Sequence, residues 1–123
     1  MLNPRGDGVF DRDALMEQLG GDEQLAREVI DLFLRDCPVQ LSSIKAALDR
    51  GDAREVYVVA HTLKGAASTL AASEVAEGAL VLEQLARDGH LEGSAEAWQV
   101  LESASVRLLE TLRATVPEKP WHD

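Results

Sequence analysis

The chain has one cysteine, Cys37, so no intramolecular disulfide can staple its fold. Cys37 falls on an apolar stripe and is read as a buried structural thiol. Aromatic residues make up 4% of the 123 positions, which leaves Leu, Val and Ala to fill a core. That composition suits packed helices better than a sandwich, whose strands favour β-branched and aromatic side chains. No apolar run approaches the roughly 20 residues of a membrane span. The opening MLNPRGDGVFDRDAL lacks a basic segment followed by an apolar one, so it does not read as a secretory signal. A cytoplasmic location is expected. Positive charge is also scarce, with 12 Lys and Arg against 22 Asp and Glu and a formal net charge of −10. A nucleic-acid binder needs a basic face to displace counterions from phosphates. An anionic membrane surface makes the same demand, so neither partner is expected.

What is present is a series of amphipathic helices in a length that suits one domain. The first starts at FDRDAL, with Asp11 as N-cap and Phe10 placed to staple onto Leu15; it stops at Gly20-Gly21. The second begins at Asp22 and carries Val29, Ile30, Phe33, Cys37, Leu41, Ile44 and Leu48 at spacings of three and four. Pro38 interrupts it, and the continuing stripe predicts one kinked helix or two nearly collinear pieces. Gly51 closes that element, and Asp52 with Glu55 resembles a capping box opening a third helix to about Leu70. A fourth starts at Ser73 with Val75, Ala79, Leu82 and Ala86 on one side and ends near Gly89. A fifth opens at Ser94 and repeats Trp98, Leu101, Ser105, Leu108 and Leu112. Short connections between long helices imply antiparallel neighbours. The fold class is therefore all-α, an up-and-down antiparallel four-helix bundle with a short additional N-terminal helix. Residues 1–9 are read as a flexible N-terminus, 10–116 as the bundle domain and 117–123 as a loose tail.

Within the third helix stands AHTLKGAAS, residues 60–68. A glycine inside a helix costs roughly 1 kcal/mol relative to alanine. With about 100° per residue and His61 at zero, the core residues Val56, Val59, Ala60, Leu63, Ala66, Ala67 and Leu70 fall in an arc centred roughly 200° away. Arg54, Tyr57, Lys64, Gly65 and Ser68 fall within about 60° of His61. The histidine thus stands in the centre of an exposed strip. An exposed imidazole is largely neutral at pH 7 and can act as a nucleophile. A phosphoryl group on it would bring negative charge that a lysine one turn away can partly offset. A glycine beside it leaves a gap through which another protein's active site can approach.

Other chemistries find little support. His90 and His122 sit in a loop and in the tail, so no two histidines share a helical face and no metal-ligand spacing emerges. There is no CxxC, no serine or cysteine paired with histidine in a known motif, and no Gly-rich phosphate loop for ATP. The abundant carboxylates read as solvated faces.

AHTLKGAAS resembles the H-x-x-K-G motif of the histidine-containing phosphotransfer (Hpt) domain family. FDRDALMEQLGGDEQLAREVIDLFLRDCP is similar to the family's opening, and the helix order agrees through about Ala114. The resemblance implies a phosphorelay intermediate in which His61 accepts a phosphoryl group from a receiver-domain aspartate and passes it to another receiver. It implies that Lys64 helps neutralise the phosphoryl oxygens and that Gly65 gives steric access. Arg54, Tyr57 and Ser68, on the same strip, are candidates for partner docking. In this family the receiver supplies the magnesium site and the catalytic groups, so no cofactor is expected in this chain and the domain is a carrier more than an enzyme. Response-regulator receivers and a hybrid histidine kinase are the implied partners of a monomer.

One position departs from the family pattern: Ala71 stands where a second glycine is common, ten residues after the histidine. By the wheel it borders the core near the helix end, where it bears on close helix packing. Two further readings remain open at this level. One is a module that binds a receiver or kinase without transfer; the other is the phosphoacceptor domain of a histidine kinase. The brevity of the chain and its start at Met1 favour a free-standing carrier, although an excised domain of a hybrid kinase would look the same.

Overall fold

In the computed structural model, which describes residues 9–115, five helices follow one another: α1 (Arg12–Gln18), α2 (Glu23–Asp49), α3 (Ala53–Thr69), α4 (Ser73–Arg87) and α5 (Ser94–Thr115). The expected flexible N-terminus and loose tail lie outside the described residues, apart from Val9. Three aspartates set where helices begin. The carboxylates of Asp11, Asp22 and Asp52 accept the backbone N–H of Ala14, Leu25 and Glu55 at 3.0, 3.0 and 3.1 Å. Each satisfies a donor that the first helical turn leaves without a partner. The capping box at Asp52 is only half made, because the Asp52 N–H bonds the Ala47 carbonyl of α2 at 2.9 Å and is not available to Glu55.

Four helix ends close in one way. Met16, Ala47, Ala67 and Leu85 each accept the N–H of a residue five positions on, at 2.8 to 2.9 Å. Such closures require a left-handed residue just past the helix, normally glycine. Gly20, Gly51 and Gly89 supply it, but α3 is closed by Ala71 at φ 58. The sequence-based placement of Ala71 at a packing border is thus corrected: the position is a helix stop whose backbone conformation disfavours a β-carbon.

α2 continues unbroken through Pro38, which removes one helical hydrogen bond at a cost of about 3 kcal/mol. Buried Ile30, Phe33, Cys37, Ile44 and Ala47 on both sides of the proline hold the helix against its neighbours. The stripes meet in a single core: α2 packs on α3 and α5, and α4 packs on the same two helices from the other side. With short connections reversing the chain each time, this is the expected up-and-down four-helix bundle. The short α1 lies against α2, with Phe10 and Leu15 buried, and the Asp11 N–H bonds the Ala71 carbonyl at 3.2 Å. Cys37 is fully buried, and burial pushes its thiol up to about 11, with the nearby Ser105 hydroxyl acting weakly the other way. It is protonated and shielded at neutral pH. No helix among the described residues is long and apolar enough to cross a membrane.

Candidate functional site on the third helix

The core face of α3 is built from Val56, Ala60, Leu63, Ala67 and Leu70, all fully buried. Val59 and Ala66, at the edges of the predicted arc, are only half-buried. This anchoring fixes which side of α3 faces out, and the His61 side chain is 59% exposed there. Arg54, Gly65 and Ser68 are exposed on the same side of the helix, and Tyr57 is half-buried. The Tyr57 ring lies over that of His61, with centroids 6.0 Å apart and planes 15° from parallel. A stacked neighbour limits rotation of the imidazole. At Gly65 an added β-carbon would meet no atom within 4 Å, so the glycine opens directly onto the space beside the histidine.

The strip is bordered on the α4 side by a residue that the sequence reading missed. Glu83 lies on the inner side of α4, with its side chain 9% exposed. One carboxylate oxygen, Oε2, is 3.1 Å from His61 Nδ1, and the other, Oε1, is 2.8 Å from Lys64 Nζ. The Lys64 ammonium, 2.8 Å away, holds the Glu83 carboxyl below the usual carboxylate range, against the desolvation that raises it. The bond to His61 adds to the same lowering. A signal for Glu83 was present. It falls about 40° from Ala79 on the wheel, inside the apolar stripe of α4. A carboxylate in such a stripe needs a buried partner.

This arrangement changes the picture of Lys64. The sequence suggested a cation waiting beside the histidine, whereas the side chain is 28% exposed and its ammonium is bonded to a carboxylate. His61 is held through Nδ1, while Nε2 has no hydrogen-bond partner among the described residues. The site can therefore offer one ring nitrogen outward while the other is fixed from behind. Of the other two histidines, His90 is exposed in the turn after α4, and His122 lies outside the described residues. Among the described residues, no group of three or more His, Cys, Asp or Glu side chains could hold a metal ion.

The family model described as the Hpt domain matches residues 28–116. Two solved structures share the fold. Histidine-containing phosphotransfer protein B from Pseudomonas aeruginosa PAO1 is 25% identical, with a TM-score of 0.77 over 94% of this chain and 100% of its own. The Hpt domain of a hybrid sensor histidine kinase from Shewanella is 16% identical, with a TM-score of 0.80 over 88% of this chain and 93% of its own; that likeness concerns the fold alone. No curated protein matches the sequence.

Proposed function

This chain belongs to the Hpt domain family, and from that premise we propose that it is a phosphocarrier of a phosphorelay, with His61 as the residue that is phosphorylated. The observation that supports the assignment best is the setting of His61: exposed on a helix whose opposite face is fully buried, beside an open Gly65 and one turn from Lys64. His61 Nε2 attacks the phosphorus of a receiver's aspartyl phosphate, and a second receiver later removes the phosphoryl group. Positioning and charge neutralisation dominate such transfers. The receiver brings the magnesium site and the catalytic groups, and this chain brings the nucleophile. Lys64 meets the incoming oxygens by sharing its ammonium with Glu83 or leaving it.

The receiver docks along the strip, with Arg54, Tyr57 and Ser68 at its contact surface. Val58 on α3, about 60° from His61 on the wheel, and Leu32 on α2, which shares a groove with Ala66 and Thr69, are exposed apolar side chains beside that strip. A receiver that covers His61 can bury them, and their removal from water would favour the complex.

Incubation with a panel of phosphorylated receivers tests the assignment. Wild-type protein takes up label that is lost in acid and persists in alkali, as a phosphoramidate does. His61→Gln takes up none and keeps its helicity, since an exposed side chain contributes little packing. Uptake by His61→Gln, or its loss in His90→Gln or His122→Gln, would place the phosphoryl group elsewhere. An alkali-labile label would indicate a carboxylate.

A further inference from the structure

We infer that Tyr57 is a positioning residue for transfer: its ring lies against one face of the His61 imidazole and sets the plane in which the Nε2 lone pair points. This rests on His61 being the phosphorylated residue. Side chains in a helix lean towards its N-terminus, so a residue at position i+4 reaches back over position i. The His61 ring is therefore directed over the turn that carries Tyr57. The two rings stack with centroids 6.0 Å apart and planes 15° from parallel, within the range of offset aromatic pairs. A side chain at position 65 would lean on His61 in the same way, and Gly65 supplies none. The imidazole is thus braced from the N-terminal side and open towards the C-terminal side.

Tyr57 can brace the imidazole because it is itself held. It is half-buried and packs against the core, whereas Arg54 and Ser68 on the same strip are exposed. An exposed side chain without such support changes rotamer within picoseconds to nanoseconds. The Glu83 carboxylate, 3.1 Å from Nδ1, fixes one atom of the His61 ring and leaves the ring free to tilt about that contact. Contact on the face of the ring removes the tilt.

The tilt matters because the Nε2 lone pair lies in the plane of the ring. That lone pair forms the N–P bond as the P–O bond to the receiver's aspartate breaks, and the electron pair of the broken bond leaves with the carboxylate. Transfer needs the lone pair in line with the breaking bond, at a separation of about 3–3.5 Å. A tilted ring aims it past the phosphorus. As the N–P bond forms, the imidazole gains positive charge, and the π face of Tyr57 beside it favours that charge. Both effects need an aromatic ring at position 57, and neither needs its hydroxyl.

A spectrum and two variants test this. Tyr57 is the one tyrosine of the chain, so its ring signals are assigned without ambiguity. Nuclear Overhauser contacts between its ring protons and those of His61 should appear in the unphosphorylated protein, and their absence overturns the inference. Tyr57→Leu keeps an apolar side chain that favours helix and removes the flat face. With a saturating phosphorylated receiver, its rate of label uptake should fall about threefold to tenfold with helicity unchanged. Tyr57→Phe should retain most of the wild-type rate. A saturating rate in Tyr57→Leu equal to wild type overturns the inference. So does a loss confined to the receiver concentration needed for half the rate, which would make Tyr57 a docking contact only. A loss in Tyr57→Phe as large as in Tyr57→Leu would assign the effect to the hydroxyl and overturn it too. Failure of the wild-type protein to accept label would fault the phosphocarrier assignment, whereas full-rate uptake by Tyr57→Leu would fault Tyr57 alone.

Discussion

Gly65 and Gly78 lie inside adjacent helices, and each lowers the helix propensity of its segment by about 1 kcal/mol relative to alanine. Their surroundings differ. A β-carbon added at Gly78 would come within 3.3 Å of the Leu101 Cα and of its Cδ1, because α4 and α5 approach closely there. A β-carbon added at Gly65 would meet nothing within 4 Å. At Gly78 the loss is offset by packing, since closer helices gain dispersion contacts along the whole seam. At Gly65 nothing in the folded chain offsets it. A helical glycine facing another helix is explained by stability, and one facing open space beside a nucleophile calls for an explanation outside the isolated protein.

The largest effect should come from filling the seam. Gly78→Leu forces a branched side chain against α5, where the Leu101 side chain can turn aside but its Cα cannot. Overpacking of this kind should destabilise by about 3 kcal/mol, read as a lower denaturant midpoint. Stability equal to wild type would mean that α4 and α5 are farther apart than described. The matching change on the other helix should separate activity from stability. Gly65→Gln should melt no lower than wild type, because glutamine is a good helix former, while transfer from a phosphorylated receiver falls by about tenfold or more as its side chain fills the gap beside His61. If transfer were unaffected, access would not be the reason for this glycine.

The two glycines also mark how far the sequence could be read. Helix order, the caps at Asp11, Asp22 and Asp52 and the outward side of α3 follow from spacing, because apolar periodicity and local hydrogen bonds act within a few residues. The seam at Gly78 does not follow, since it depends on which residue of another helix stands opposite. Glu83 was missed for a related reason. Its partners lie 19 and 22 positions earlier in the chain, on α3, and in a chain with 22 acidic residues one more carboxylate reads as solvated surface. Ala71 was noticed as a departure from the family pattern and placed wrongly, because a helical wheel assigns a helical angle to a residue that has left the helix.

Alanine at both glycines gives a finer test of the contrast. Gly65→Ala should stabilise by up to about 1 kcal/mol, because alanine restricts the unfolded chain and meets no neighbour. Gly78→Ala gains the same propensity, but its β-carbon presses on backbone, so the net should be a loss of about 1 kcal/mol. Paired melts of the two variants should thus move in opposite directions. Destabilisation by both would make Gly65 a packing glycine as well and would remove its link to access.

The smallest effect should appear where glycine is missing. Ala71 has φ 58, in the conformation that Gly20, Gly51 and Gly89 adopt at the other helix ends. A β-carbon in that region is crowded by its own backbone, at a cost of about 1–2 kcal/mol. Ala71→Gly relieves the crowding but gives the unfolded chain more freedom, which takes back about 0.4–1 kcal/mol. The net should be stabilisation by about half a kcal/mol, near the limit of what paired denaturant melts resolve. Hydrogen exchange offers a second readout. The amide of Ala72, bonded to the Ala67 carbonyl at 2.9 Å, closes this turn, and it should exchange more slowly in the variant. Transfer should be unchanged, because position 71 lies past the end of α3, ten residues from His61. A lower melting point with faster exchange would mean that the Ala71 methyl makes contacts worth more than the strain it carries. Ala71 would then resemble Gly78, a position set by what packs against it, more than the three glycines whose conformation it shares.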